Sequence, residues 1–311
     1  MANQDNLKFF EDANAFLEHT LPVFKADVTR HRLMLGIAIA LQKRPDAFGE
    51  KTPLMTLRLE DTNEHASPTR AGLLTERVQA DFIAIMTPPY PILVWFKETL
   101  SDVDLLKIAL AIKEKGWDLP GVNGIATCSS RFASIWVELN QINAPSVMHS
   151  MSYELTRVIF PESIPAGCFQ FAQENQAEIL LKYMNDMQVD LNASVRIEYT
   201  LEHIHNFIAG KRIGIWLVDD QPASMAMSNR PQLSSIGISA VYTPNEYRGK
   251  GYASAVVASL SQELLNQGYQ RINLFTDLAN PTSNKIYKAI GFKEVCDYQE
   301  FKFTFADKSF L

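Results

Sequence analysis

Cysteine is scarce in this chain of 311 residues: Cys128, Cys168 and Cys296 are odd in number and far apart. That excludes a disulfide framework and leaves no cluster with metal-ligand spacing, so no metal is expected. Long apolar runs are missing too. The longest, residues 33–41, falls well short of the roughly 20 residues that a membrane-spanning helix needs. The first residues, MANQDNLKFFEDANAF, have neither the basic start nor the apolar stretch of a secretory signal, and a cytoplasmic location is the expectation. Positive charge is not in excess. A net charge of −6 argues against a general nucleic-acid binder, and no membrane partner is expected either. What is present, 47% hydrophobic and 21% charged residues, is the composition of a soluble globular protein. Its length suits two domains of ordinary size.

Hydrophobic periodicity divides the chain into an N-terminal α/β domain, residues 1–162, and a second domain, residues 163–311. In the first, the pattern predicts helices over 5–20 and 29–42, then strands over 55–60, 81–86 and 92–96. Helices over 101–115 and 129–140 and a strand over 148–158 follow, with residues 161–167 as the linker. Leu105, Ile108 and Ile112 form the apolar stripe of the third helix. In the second domain a strand is predicted over 167–171 and helices over 174–187 and 199–209. A hairpin over 212–218 and 223–228 turns at Asp219, Asp220 and Gln221. Beyond it come a strand over 235–243, a helix over 251–266 stopped by Gly268, and a strand over 271–276. A helix starting at Pro281 and final strands over 292–305, with Phe301, Phe303 and Phe305 on one face, complete it. The first half echoes this order, as a degenerate copy of the same fold would.

The passage that reads as chemistry runs from Val241 to Phe292. A strand enters the turn Pro244-Asn245-Glu246, and Tyr247-Arg248-Gly249-Lys250-Gly251-Tyr252-Ala253-Ser254 leads into a helix. Glycines at a strand-to-helix junction let backbone N–H groups approach an anion, and the helix N-terminus adds its positive pole. Arg248 and Lys250 put two cations at the same point. A glycine pair alone also reads as a tight turn. Further on, Asn280, Ser283, Asn284 and Tyr287 follow an i, i+3, i+4, i+7 spacing and share one helix face. Asn280 also reads as an N-cap before Pro281, and Tyr287 as a core tyrosine. In the first half, the candidate glycine loop LPGVNG, residues 119–124, has no arginine or lysine and no Asn…Tyr face after it.

On these two segments, Arg248-x-x-Gly251-x-Ala253 and Asn280-Pro281-Thr282-Ser283-Asn284-Lys285-Ile286-Tyr287 with Gly291-Phe292, the second half resembles the GNAT superfamily of acyl-CoA-dependent N-acetyltransferases. It looks like a predicted-acetyltransferase group that carries an additional N-terminal domain. The resemblance implies an α/β fold with a mixed, mostly antiparallel central sheet flanked by helices. It implies acetyl-CoA as co-substrate, its diphosphate held by the backbone of Arg248, Gly249, Lys250, Gly251, Tyr252, Ala253 and Ser254. Its pantetheine arm would pair with the strand at Val241, Tyr242 and Thr243, steadied by Asn280, Ser283 and Asn284. A backbone N–H near Val241 or Tyr242 would polarise the thioester. Tyr287 would serve as the acid for the leaving thiolate.

The strand Ile236-Gly237-Ile238-Ser239-Ala240-Val241 carries no carboxylate, where many members of the superfamily keep a general base. Glu198, Glu202, His203, His205 or a water chain are the alternatives. The acceptor is expected to be a small-molecule or peptide amine, and the protein a monomer or homodimer. The first domain could cover the acceptor pocket, mediate dimerisation or buttress the other. A catalytically weak acyl-CoA-binding sensor or scaffold is the second reading, and a dimerisation module with a vestigial cleft the third.

Overall fold

The computed structural model describes residues 6–60, 80–191 and 196–305. Contacts group the chain into two units, one of Met1–Ser150 with Cys296–Leu311 and the other of Met151–Val295. Neither unit is built as a single cut at residue 162 would build it, because two long strands pass from one unit to the other along the chain. These are β7 (Ser146–Leu155) and β13 (Lys293–Lys302).

The first unit runs β1 (Leu7–Phe10), α1 (Ala13–Ala26), α2 (Val28–Lys43), β2 (Leu54–Leu59), β3 (Ala80–Met86) and β4 (Ile92–Phe96). It continues through α3 (Asp102–Glu114), β5 (Gly121–Ile125), α4 (Ala126–Asn140) and β6 (Ile142–Asn143). Strands β1 to β4 pair antiparallel in sequence order, and β5 lies parallel to β4. On the other side of β5, residues 298–302 of β13 pair antiparallel with it. The short β14 (Thr304–Phe305) pairs with β6.

Strand β3 shows why the hydrophobic pattern is unbroken here. Ile83 and Ile85 face a core with Phe16, Phe24 and Leu35 of α1 and α2. Phe82 and Ala84 face the opposite core, with Leu105 and Ile108 of α3 and Phe132 and Trp136 of α4. A sheet covered on both faces has no polar side to alternate with.

The second unit repeats the order. It runs β8 (Cys168–Phe171), a 3-10 turn (Glu174–Gln176), α5 (Ala177–Asp190), α6 (Leu201–Ala209), β9 (Ile213–Val218), β10 (Gln221–Ser228) and β11 (Ser235–Tyr242). A second 3-10 turn (Asn245–Tyr247), α7 (Tyr252–Asn266), β12 (Arg271–Asp277) and α8 (Pro281–Ile290) follow. Strands β8 to β11 are antiparallel neighbours and β12 is parallel to β11, the same arrangement as β1 to β5. The strand next to β12 is β7, and its Tyr153 and Leu155 pack into this unit's core with Val256, Val257 and Leu260 of α7. The two halves therefore share one β-α-α-β-β-β-α-β-α topology, the mixed and mostly antiparallel fold expected.

Three sequence expectations are corrected. The helix expected over 5–20 begins outside the described residues. Within them, Leu7–Phe10 is a strand paired with β2, and the helix starts only at Ala13, where Asp12 caps it by accepting from the Ala15 N–H at 3.1 Å. It then continues past Pro22 to Ala26. The glycine loop at 119–124 is largely strand β5. A Cβ on Gly121 would lie 2.3 Å from the Phe301 carbonyl oxygen, and one on Gly124 2.4 Å from that of Val94, so these glycines admit neighbouring strands rather than an anion. Residues 292–305, expected as the last strands of the second domain, form a long strand ending at Lys302 and a two-residue strand, and Phe301 and Phe303 pack against the α3–α4 core of the first unit. Among the described residues no helix is long and apolar enough to cross a membrane, and no group of histidine, cysteine and carboxylate side chains could hold a metal ion.

One buried polar group gives the first unit a pH dependence. His31 of α2 is 4% exposed, between Phe24 and Trp95, and its Nδ1 has no hydrogen-bond partner. Burial pushes its pKa down to about 4, with Asp27 opposing and Arg30 adding to the effect. The unfolded chain therefore binds the proton first, and stability present above pH 6.5 is lost as pH falls toward 4. From pH 7 to pH 5 this group should cost about 2 kcal/mol of unfolding free energy. Urea denaturation at both pH values should show that loss in the native protein and a clearly smaller one in His31→Leu.

Candidate active site

The site begins where two parallel strands part. Strand β11 pairs with β12 only from Ser235 to Gly237, opposite Arg271 to Asn273, and both strands continue beyond. On its other side β11 gains a residue against β10: Met227 faces Ser239 and Met225 faces Tyr242, so three β11 residues answer two. Ala240, inside this bulge, has φ +49. A bulge bends its strand and re-aims the backbone groups beside it. The buried hydroxyl of Ser224 fixes the end of the strand by donating to the Tyr242 carbonyl at 3.2 Å and bonding the Thr243 hydroxyl at 2.8 Å.

The chain then enters a bend that only glycine makes cheaply. Gly249 and Gly251 have φ +75 and +84, and a Cβ at either would meet nothing closer than the Pro165 ring at 3.9 Å. Conformation, not crowding, selects glycine here. Gly251 is the N-cap of α7 and has no side chain to cap it. The helix is held below by its buried face, Val256, Val257, Leu260 and Leu264. Its first N–H groups have no intrahelical carbonyl to bond, and the positive end of the helix opens onto a cleft of about 590 Å³.

Of the residues singled out in the sequence, Val241, Tyr242, Thr243, Arg248, Gly249, Gly251, Tyr252, Ala253, Ser254, Asn280 and Ser283 line this cleft. Lys250, Asn284 and Tyr287 do not. Lys250 donates to the Glu246 carbonyl at 3.0 Å and lies 5.7 Å from the Tyr247 ring centre. Arg248 donates from Nε to the Thr243 carbonyl at 2.9 Å and from Nη2 to the Asp190 carboxylate at 2.6 Å. Both cations therefore brace the bend, and Arg248 also lines the cleft.

Helix α8 carries the second motif. Asn280 caps it, accepting from the Ser283 N–H at 3.0 Å. Asn284 has both ends of its amide engaged. It donates to the carbonyls of Asp277 and Asn280 at 2.9 and 2.7 Å and accepts from the Tyr153 hydroxyl at 2.9 Å. It positions α8 against β7. Tyr287 is 7% exposed, behind Ser283 and Ile286, with its ring against Tyr153 and Phe292. Burial pushes its phenol up to about 12, opposed by a hydrogen bond with the Ser283 side chain. The phenol therefore stays protonated at neutral pH.

None of the four alternatives for a base lines the cleft. Glu198 and Glu202 are exposed, His203 forms a reciprocal cap with Thr200, and His205 pairs with Glu174. The cleft instead includes Met187 and Asp190 of α5, Leu191 after it, Tyr247, Thr282 and Ile286. Sequence reasoning missed the α5 residues because they lie about fifty positions before the bend. One signal was available: α5 ends on Asp190 with no basic residue in its last turn, an electrostatically unfavourable helix end.

The matching junction of the first unit, between β4 and α3, is built otherwise. Ser101 caps α3, accepting from the Asp104 N–H at 3.1 Å, and Asp102 and Asp104 occupy the first turn. Hydrogen bonds from Ser101 and Lys107 hold the Asp104 carboxyl below its usual range. Carboxylates already satisfy this helix end, so an anion would be repelled.

The FR47-like protein family matches residues 213–301. An uncharacterized N-acetyltransferase of Bacillus subtilis, YycN, is 39% identical over 54 residues, 17% of this chain and 33% of its own. The match thus spans about a third of that relative's length. Two solved structures share the fold over nearly the whole chain. An acetyltransferase from the GNAT family of Colwellia psychrerythraea is 12% identical with a TM-score of 0.58, covering 96% of this chain and 99% of its own. A GCN5-related N-acetyltransferase of Sphaerobacter thermophilus is also 12% identical with a TM-score of 0.58, covering 96% and 95%. The FR47-like match thus runs from β9 into β13, and the solved GNAT structures share the fold of the chain at low identity.

Proposed function

We propose that this protein is an N-acetyltransferase that moves an acetyl group from acetyl-CoA to the amine of a small molecule or peptide. The observation that carries the proposal is the uncapped start of α7, opening through two left-handed glycines onto the cleft beside the parted strand β11. The donor set fits the cofactor: backbone N–H groups for a diphosphate, and the edge of β11 beyond its pairing with β12 for the amides of a pantetheine arm. Acetyl-CoA supplies an activated thioester and a leaving thiol.

The chain's contribution is chiefly to position amine and thioester for attack. As the new N–C bond forms and the C–S bond breaks, the amine gives up a proton and the sulfur takes one. Tyr287, kept protonated by burial, is assigned the hydrogen bond or proton to sulfur, beside Ser283. A backbone N–H at Val241 or Tyr242, next to the bulge, is assigned to the thioester oxygen. With Glu198, Glu202, His203 and His205 away from the cleft, the amine's proton leaves through water.

One observation favours the second reading, an acyl-CoA-binding protein with little turnover: Tyr287 lies behind the lining of the cleft, not in it. Two variants decide. Tyr287→Phe should lower turnover by about 10- to 100-fold while leaving acetyl-CoA affinity within about two-fold, measured by thiol release with an amine panel and by calorimetry. Equal turnover removes Tyr287 from the chemistry. Gly251→Glu should abolish acetyl-CoA binding, because its side chain brings bulk and negative charge to the mouth of the helix. Unchanged affinity would refute the location of the cofactor.

A further inference from the structure

A cleft for a diphosphate holds an unexpected group: a carboxylate. Asp190 lines it together with Tyr242 and Arg248. The carboxylate stands at the C-terminal end of α5, with Asp186 one turn before it and no lysine or arginine in the last turn. The helix end is the negative pole of its dipole, so an acidic residue there is disfavoured unless a cation meets it. Arg248 is that cation: Nη2 lies 2.6 Å from Asp190 Oδ2, and the Tyr242 hydroxyl donates to the same oxygen at 3.4 Å. The guanidinium carbon lies 6.0 Å from the Tyr242 ring centre. Arg248 immediately precedes Gly249, where the anion-binding bend starts.

We infer that Asp190 is a stand-in anion: it holds Arg248 while the cleft is empty and competes with the diphosphate of coenzyme A for it. The inference rests on the acetyl-CoA reading of the cleft. The groups required are all present. An arginine at the edge of a polyanion site would otherwise be left with an unneutralised charge, and the bend would lose the brace that Arg248 gives it through Thr243. With the diphosphate bound, the guanidinium has two rivals for its donors, and the displaced carboxylate repels the phosphate. Asp190 thus weakens cofactor affinity, and with it the retention of the coenzyme A product. An arginine forms its strongest contacts through two parallel donors to one oxyanion, so it cannot serve both anions fully.

The test measures coenzyme A binding by calorimetry in the full chain. Asp190→Asn should bind coenzyme A about five-fold more tightly than the native protein, the scale of one partly exposed ion pair released. Its affinity should also fall more steeply with salt. Asp190→Ser should behave alike, which guards against a folding defect peculiar to one variant. Dephospho-coenzyme A, which keeps the diphosphate, should show the same gain, and in an Arg248→Ala background the gain should shrink to within about two-fold. Unchanged or weaker binding in both Asp190 variants would overturn the inference while leaving the cofactor reading intact. A gain seen with coenzyme A but not with the dephospho form would also overturn it, since the rival would then be the ribose phosphate. No binding by the native protein would overturn the cofactor reading and the inference together.

Discussion

The backbone donors at the start of α7 are the constraint around which the second unit is arranged. A helix leaves its first N–H groups without intrahelical partners, and a fold must satisfy them with a cap, with water or with a ligand. Here the cap is Gly251, which offers no side chain. The preceding bend is left-handed at Gly249 and Gly251, and Gly251, Tyr252, Ala253 and Ser254 line the cleft. The bulge at Ala240 and the early parting of β11 from β12 continue the opening along the strand. Buried contacts keep the arrangement rigid: Ser224 on the strand end, and Val256, Val257 and Leu260 under the helix.

The first unit shows what the same topology does without that constraint. Its strand and helix order repeats that of the second, down to a parallel pair in each, β4 with β5 and β11 with β12. At the equivalent helix start, a serine cap and two aspartates take the positions that glycine leaves open in α7. Three residue choices, Ser101, Asp102 and Asp104, set this helix end apart from that of α7. Elsewhere the unit uses its interior for packing, to the point of burying His31 without a partner for its Nδ1. Likeness of fold and difference of site are therefore compatible within a single chain.

Much of the fold was legible because its helices and strands carry strong local patterns. Leu105, Ile108 and Ile112 form the buried stripe expected of α3, and Asp219 and Asp220 form the tight hairpin turn, both with positive φ. The motif after β11 gave the cleft wall almost residue by residue. What was not legible depended on long-range pairing. Leu7–Phe10 is a strand only because β2 lies beside it, and Gly121 is part of a strand because residue 301, far along the chain, passes against it. The same limit hid Asp190. Its pairing with Arg248 joins a helix end to a loop 58 positions away. Two chemical roles also changed on folding. Asn284 spends its amide on α8 and Tyr153, and the cations of Arg248 and Lys250 are engaged locally.

The central claim is that two units of one topology provide one acyl-CoA cleft, at the start of α7. The most direct measurement is the stoichiometry of acetyl-CoA binding to the full chain by isothermal titration calorimetry. The account predicts one site per chain. A second site per chain, or no binding at all, would contradict it.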